Sequence, residues 1–194
     1  MKYNEIWRRM PGGVFVVGGA VRDYTRSVEP KDYDLGVPSD VDIQDVFDTL
    51  GHFGSVHTLL APELSGCPPS DSEEGQRVQI VVPVELHLGV RYPWDKPVIR
   101  IDIIQYTGSV YDALAQFDIS CNAVLWEPHT ERPIFHEVGT PLSFTRRPEW
   151  VKELRSTPDE RVLYIMQKVG AVAITRADGK WYDLVQGELV CKQR

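Results

Sequence analysis

The sequence predicts an α+β fold: a mixed β-sheet with flanking helices and a short helical C-terminal extension. Three observations carry this. VFVV at residues 14–17 and YDLGV at residues 33–37 are apolar runs of strand length. VIRIDIIQY at residues 98–106 alternates, so that Ile99, Ile101 and Ile103 share one face and Arg100, Asp102 and Ile104 the other. PDERVLYIMQKVG at residues 158–170 places Val162, Ile165, Met166 and Val169 on one helical stripe. At 194 residues the chain has room for one well-buried core, with or without a small appendage.

In order, residues 3–10 read as a short helix with Ile6 and Met10 on one face, ended by Pro11-Gly12-Gly13. The strand at 14–17 runs into Gly18-Gly19, and a charged helix is expected over 20–27. Two glycines let a backbone approach a phosphate closely, and amides at a helix start attract anions, although the same pattern describes ordinary α/β turns. On the next strand Asp32 and Asp34 stand two residues apart, which points both carboxylates to one face and Tyr33 and Leu35 to the other. Pro38-Ser39-Asp40 is a turn, and Val41, Asp45, Val46 and Leu50 suit a helix ending at Gly51. Residues 55–60 read as a strand.

Residues 61–77 shift to Pro, Gly, Ser and acidic side chains and read as an exposed loop. Pro83 marks the β-rich segment 78–88 as an edge or bulged strand, and a second loop over 89–97 precedes the alternating strand. Ser109 is placed to cap a short helix through Gln116, while DISCNAVLW at 118–126 is either a helical turn or a strand. Residues 148–155 and 158–169 read as helices. Residues 171–175 and 180–185 flank Ala177-Asp178-Gly179 as a hairpin. This divides the chain into a head over 1–140 and a short helical and hairpin extension over 141–194.

The net charge of -7 argues against a generally basic nucleic-acid coat, but the balance is uneven. Residues 141–194 carry a net +3 and the first 140 a net -10, so a polyanion approaching the C-terminal part and a merely solvated helix face both fit. Three widely spaced cysteines without a Cys-x-x-Cys pair suggest neither a disulfide framework nor a zinc site. With no apolar signal core in MKYNEIWRRM and no run of membrane-span length, a cytoplasmic protein is expected. The five histidines show no metal-ligand spacing, and neither a Walker phosphate loop nor a Gly-x-Gly-x-x-Gly pattern is present.

The chemistry is concentrated in Asp32, Asp34 and Asp102, carboxylates from two strands that meet if those strands are neighbours. Such a cluster repels itself unless cations sit in it; hard oxygen ligands suit partly hydrated Mg²⁺, or Mn²⁺, working on a triphosphate. The alternative is structural: a solvated pair at a strand edge, and an Asp102 that satisfies a buried arginine such as Arg22 or Arg100.

VGGAVRD at residues 17–23, followed by DYD at 32–34, closely resembles the signature of the tRNA nucleotidyltransferase and poly(A) polymerase head domain, within the DNA polymerase beta-like nucleotidyltransferase superfamily. RIDII at 100–104 is similar to the later strand bearing that family's third acidic position, and FDISCNA at 117–123 to its Arg-Arg-Asp-Phe-Thr-Ile-Asn-Ala motif. The resemblance runs over about residues 12–170, strong at its start and weak at its end. It implies a nucleotidyltransferase-type sheet and the catalytic set Asp32, Asp34 and Asp102, with Asp32 and Asp34 holding the metals. It further implies that Gly18 and Gly19 cradle the triphosphate, that Arg22 braces that charge or the carboxylates, and that Asp118 and Asn122 read the ribose.

The departures are specific. Gln116 and Phe117 stand where the family carries two arginines, removing two phosphate partners. No copy of the family's Glu-Asp-x-x-Arg element exists; Arg161 in Asp159-Glu160-Arg161 matches one of its arginines at the wrong spacing, and the two acids equally suit a helix start after Pro158. The family's long tRNA-binding body and tail are not expected in the short stretch after Gly170. The expectation is a metal-dependent transfer of NMP from an NTP, ATP or CTP, to an acceptor hydroxyl such as a tRNA-like 3′ end. The alternatives are transfer to a protein or small-molecule hydroxyl, and a nucleotide-binding or assembly module with weak or no catalysis.

Overall fold

The computed structural model describes residues 1–59, 78–89, 98–115, 117–135 and 150–192. A first helix, α1 (Asn4–Trp7), is shorter than the expected 3–10 and buries Ile6 and Trp7. Then follow β1 (Phe15–Val17), α2 (Gly19–Thr25), β2 (Tyr33–Val37), α3 (Ile43–Gly51), β3 (Gly54–Thr58), β4 (Val78–Leu88) and β5 (Val98–Tyr106). The chain continues through α4 (Val110–Leu114), a 3-10 turn at Ser120–Asn122, β6 (Val124–Glu127), β7 (Arg132–Phe135), β8 (Trp150–Lys152), α5 (Asp159–Val169), β9 (Ala173–Thr175), β10 (Trp181–Val185) and β11 (Glu188–Lys192).

Seven strands form one sheet in the order β3-β4-β5-β2-β1-β6-β7. It is mixed, as expected: β2 runs parallel to β5, and the other pairs are antiparallel. Its two faces are unlike. One carries Tyr33, Leu35, Ile99, Ile101 and Ile103 into the main core, beneath Ile6 and Trp7 of α1 and Val46 and Leu50 of α3. Capping fixes α3, because Asp42 accepts a hydrogen bond from the Gln44 N–H at 2.8 Å. The opposite face is only partly covered. There α4 lies directly on Gly36, where a β-carbon would come within 2.8 Å of Val110 Cγ1, and the acids stand farther along the same strands.

Pro83 does not make β4 an edge, since β3 and β5 flank it. Its carbonyl accepts from Leu59 N–H, just past the last β3 partner pair, Thr58↔Val84. The side of the strand on which proline lacks a donor therefore faces a ladder that has ended. The expected irregularity is a register shift between Val78 and Ile80.

The C-terminal residues form a second sheet, β11-β10-β9-β8. All four stripe residues of α5 are buried against Val151 and Ile174 of this sheet and against Ile119 and Cys121, so the helix forms where its periodicity placed it. The β9–β10 hairpin also forms, with Gly179 at φ 83° in its turn. The helix expected at 148–155 is a correction: Trp150–Lys152 is a strand, paired in parallel with β9 and burying Val151. Three residues are too few for a period, and a neighbouring strand's hydrogen bonds decide the outcome. Segment 118–126 is both of its alternatives, a 3-10 turn and then β6. The loop expected at 61–77, and all but Gly89 of the one expected at 89–97, lie outside the described residues. Among the described residues no helix is long and apolar enough to cross a membrane.

Candidate functional site

Parallel pairing of β2 with β5 sets Asp34 directly opposite Asp102. Paired residues project to one face of a sheet, so the alternation that buries Tyr33, Leu35, Ile101 and Ile103 drives both carboxylates to the opposite, open face. Asp32 precedes the strand and is exposed. The structural alternative for Asp102 falls away on contacts: Arg22 pairs with Asp23 and Arg100 with Glu85. Among the described residues no side chain donates a hydrogen bond to Asp32, Asp34 or Asp102.

The electrostatic consequence is large. Burial, then the charges of Asp102 and Asp32, push the Asp34 carboxyl up to about 7, against the opposing pull of Arg161 and Arg22. Burial and the Asp32 charge raise Asp102 as well. Tyr106, raised first by burial and then by Asp34, stays a neutral phenol nearby. Among the described residues no three His, Cys, Asp or Glu side chains converge closely enough to hold a metal ion as they stand. The fit to a divalent cation is therefore one of charge and donor type: hard carboxylate oxygens, a like-charge excess and no competing donor.

Gly18 stands against Asp34. Its φ of 67° with ψ of -130° is closed to ordinary side chains, and a β-carbon there would meet Phe117 Cε1 at 3.0 Å and Asp34 Oδ2 at 3.3 Å. The glycine turn thus brings bare backbone against the Asp34 carboxylate, held by the Gly18 N–H donating to the Val124 carbonyl at 2.8 Å. Phe117, one of the two residues in place of the arginines, packs its ring on that glycine. Gly19 lies next to the Arg22 guanidinium, with 3.6 Å between Nη2 and the position of a β-carbon.

The remaining expected residues assemble into one polar chain. Arg22 is 3% exposed; its Nε and Nη2 bind Asp23 Oδ1 at 2.8 and 2.7 Å, and its Nη1 donates to Asn122 Oδ1 at 2.6 Å. Asn122 Nδ2 donates to Asp118 Oδ1 at 3.0 Å, realising the spacing of four, and Arg161 Nε donates to Asp118 Oδ2 at 2.9 Å. At the other end Lys168 Nζ reaches Asp23 Oδ2 at 2.9 Å. Arg22 is thus spent inside the protein, on Asp23 and Asn122. Sequence reasoning missed Asp23 and Lys168; the signal was available in the seven-residue spacing of Arg161 and Lys168, which puts both on one side of α5. Cys121, beside this chain, is buried with its thiol pushed up to about 12, too high for a nucleophile.

Mixed sheet, glycine turn and facing carboxylates define a nucleotidyltransferase-type fold. The solved structures it resembles are of that kind. A CCA-adding enzyme in an apo form is similar at a TM-score of 0.58 and 15% identity, over 90% of this chain and 38% of that one. A CCA-adding enzyme complexed with ATP gives 0.54 and 16%, over 81% and 35%. The Bacillus stearothermophilus CCA-adding enzyme in complex with CTP gives 0.53 and 15%, over 92% and 42%. At these identities the likeness establishes the fold, and the chain spans only 35% to 42% of the length of these three proteins. No protein-family profile and no curated protein matches the chain.

Proposed function

We propose that this chain is a metal-dependent nucleotidyltransferase that transfers NMP from an NTP, ATP or CTP, to the 3′ hydroxyl of a tRNA-like RNA. In the reaction a bond forms between the acceptor oxygen and the α-phosphorus, the α–β phosphoanhydride bond breaks, and pyrophosphate leaves. The observation that carries this reading is the register that sets Asp34 against Asp102, with the Gly18 backbone against Asp34, an acidic pair that takes no ion pair from the described residues. Asp32 and Asp34 would hold Mg²⁺ or Mn²⁺, which when bound neutralises charge on the triphosphate and favours ionisation of the acceptor hydroxyl. Asp102 faces the acceptor and orients its hydroxyl. Gly18 and Gly19 leave room for the triphosphate against the backbone, and of the ribose-reading pair Asp118 offers its partly exposed carboxylate while buried Asn122 holds it from behind. Arg22 acts from within, fixing Asn122, and Arg161 brings positive charge towards the nucleotide. In this reading residues 1–140 are the transferring head and 141–194 a short extension. Free Cys121 and Cys191 suit a reducing compartment, the cytoplasm.

A second reading, a nucleotide-binding or assembly module with weak or no catalysis, is favoured by Arg22 being engaged internally and by Phe117 lying on the cradle. Labelled NTPs incubated with Mg²⁺ or Mn²⁺ and RNA, for wild type, Asp32→Ala and Asp34→Ala, separate the two. Transfer that falls on the order of 10³-fold in either variant is the expected result. Nucleotide binding without transfer to RNA, protein or small acceptors selects the module, and no nucleotide binding overturns both.

A further inference from the structure

The second sheet and α5 meet the head around residues 118–121. Leu154 N–H donates to the Asp118 carbonyl at 2.8 Å, Lys152 N–H to Ser120 Oγ at 3.0 Å, Ile119 bridges to Glu153, and the apolar stripe of α5 packs on Ile119 and Cys121. Beyond these contacts, Lys168 in the last turn of α5 reaches across to Asp23 of α2.

This contact differs from an ordinary surface ion pair. Asp23 has 8% of its side chain exposed, and its oxygens are divided between two cations, Oδ1 taken by Arg22 and Oδ2 by Lys168. Without the ammonium, a buried carboxylate oxygen loses its partner, a costly state. Arg161 stands seven residues earlier on the same helix, two turns or about 10 Å away along the axis, bound to Asp118. The helix is thus tied by a polar side chain towards each end, by Arg161 to Asp118 and by Lys168 to Asp23. The two ends are connected through Arg22 and Asn122.

We propose that Lys168 is a positioning residue of the nucleotide site: held by Asp23, its ammonium fixes α5 so that Arg161 stays presented at Asp118 and the open face of β2. The inference rests on the nucleotidyl-transfer reading. Lys168 touches no substrate and acts through Arg161. Removing it releases the last turn of α5 from α2 and takes the partner from Asp23 Oδ2, which loosens the Arg161 guanidinium through Arg22, Asn122 and Asp118 while the buried stripe of the helix stays packed.

The test is a double-mutant cycle on full-length protein with Lys168→Met, Arg161→Gln, the double variant and Lys168→Arg. The readout is Mg²⁺–ATP and Mg²⁺–CTP affinity. Arg161→Gln is expected to weaken binding about tenfold and Lys168→Met about fivefold, with the double variant no weaker than Arg161→Gln and Lys168→Arg within about twofold of wild type. Additive losses of about fiftyfold, or unchanged affinity in Lys168→Met, overturn the proposal. Without nucleotide, solvent exchange of the Arg161 Nε–H, followed by NMR, is expected to accelerate several-fold in Lys168→Met. Unchanged exchange sinks this inference alone. Failure of wild type to bind either nucleotide sinks the transfer reading, and the nucleotide half of the inference with it.

Discussion

Asp34 in the head and Glu153 beside the second sheet are both withdrawn from water, and the fold provides for them in opposite ways. Glu153, 2% exposed, accepts from Thr157 N–H at 2.7 Å, Arg176 Nε at 2.8 Å and Ala177 N–H at 2.6 Å. It ties β8, the start of α5 and the β9–β10 turn together. Asp34 accepts no hydrogen bond from a described side chain and faces Asp102 across the β2–β5 ladder. A buried carboxylate ringed by donors is structure; a half-buried carboxylate set against another is a site that favours a cation.

Removing each charge breaks the comparison differently. Asp34→Asn is expected to lower NMP transfer on the order of 10³-fold, about 4 kcal/mol in the barrier, while the folded state holds or gains stability. Parallel transfer assays and urea denaturation check both halves. Glu153→Ala reverses the pattern: it strands two backbone donors, Thr157 N–H and Ala177 N–H, and takes one partner from Arg176, which keeps Asp159 and the Thr157 carbonyl, so a loss of about 3 kcal/mol in urea denaturation is expected, with nucleotide affinity per folded molecule little changed. Gly18→Ala sharpens the contrast at smaller scale. A β-carbon at φ 67° against Phe117 and Asp34 costs about 2 kcal/mol in the same measurement and lowers nucleotide affinity.

The facing of Asp34 and Asp102 was legible in the sequence because a strand has one simple period: Asp34 between Tyr33 and Leu35, and Asp102 between isoleucines, name their face without knowledge of the partner strand, whereas Asp32 lies just before β2, outside that period. The glycine turn was legible for a similar local reason. The α5 stripe was legible too, since eleven residues span three turns. Local pattern did not reach the two short strands that complete the second sheet. Trp150–Lys152 is extended only because β9 lies beside it, and β11 follows a turn at Gln186-Gly187 that the sequence reading passed over. Nor did it reach the partner of Asp23, which lies far along the chain at Lys168, or the ring of Phe117 on Gly18, a substitution whose effect on the cradle only packing displays.

The central claim, that Asp34 receives a cation together with Asp32 while Asp102 faces it across the ladder, has a thermodynamic signature. A folded-state value of about 7 against an ordinary 3.8 means that Asp34 contributes stability present below pH 3.8 and lost as pH rises through 7, and the raised Asp102 acts in the same direction. Asp34→Asn lacks this loss. The most direct measurement is urea denaturation of wild type and Asp34→Asn from pH 5 to pH 8, each with and without Mg²⁺. Without metal, the variant is expected to gain on wild type by roughly 3 kcal/mol across that range. Mg²⁺ should restore wild type at pH 8 and leave Asp34→Asn unmoved. Parallel pH curves for the two proteins, with neither responding to Mg²⁺, would contradict the account.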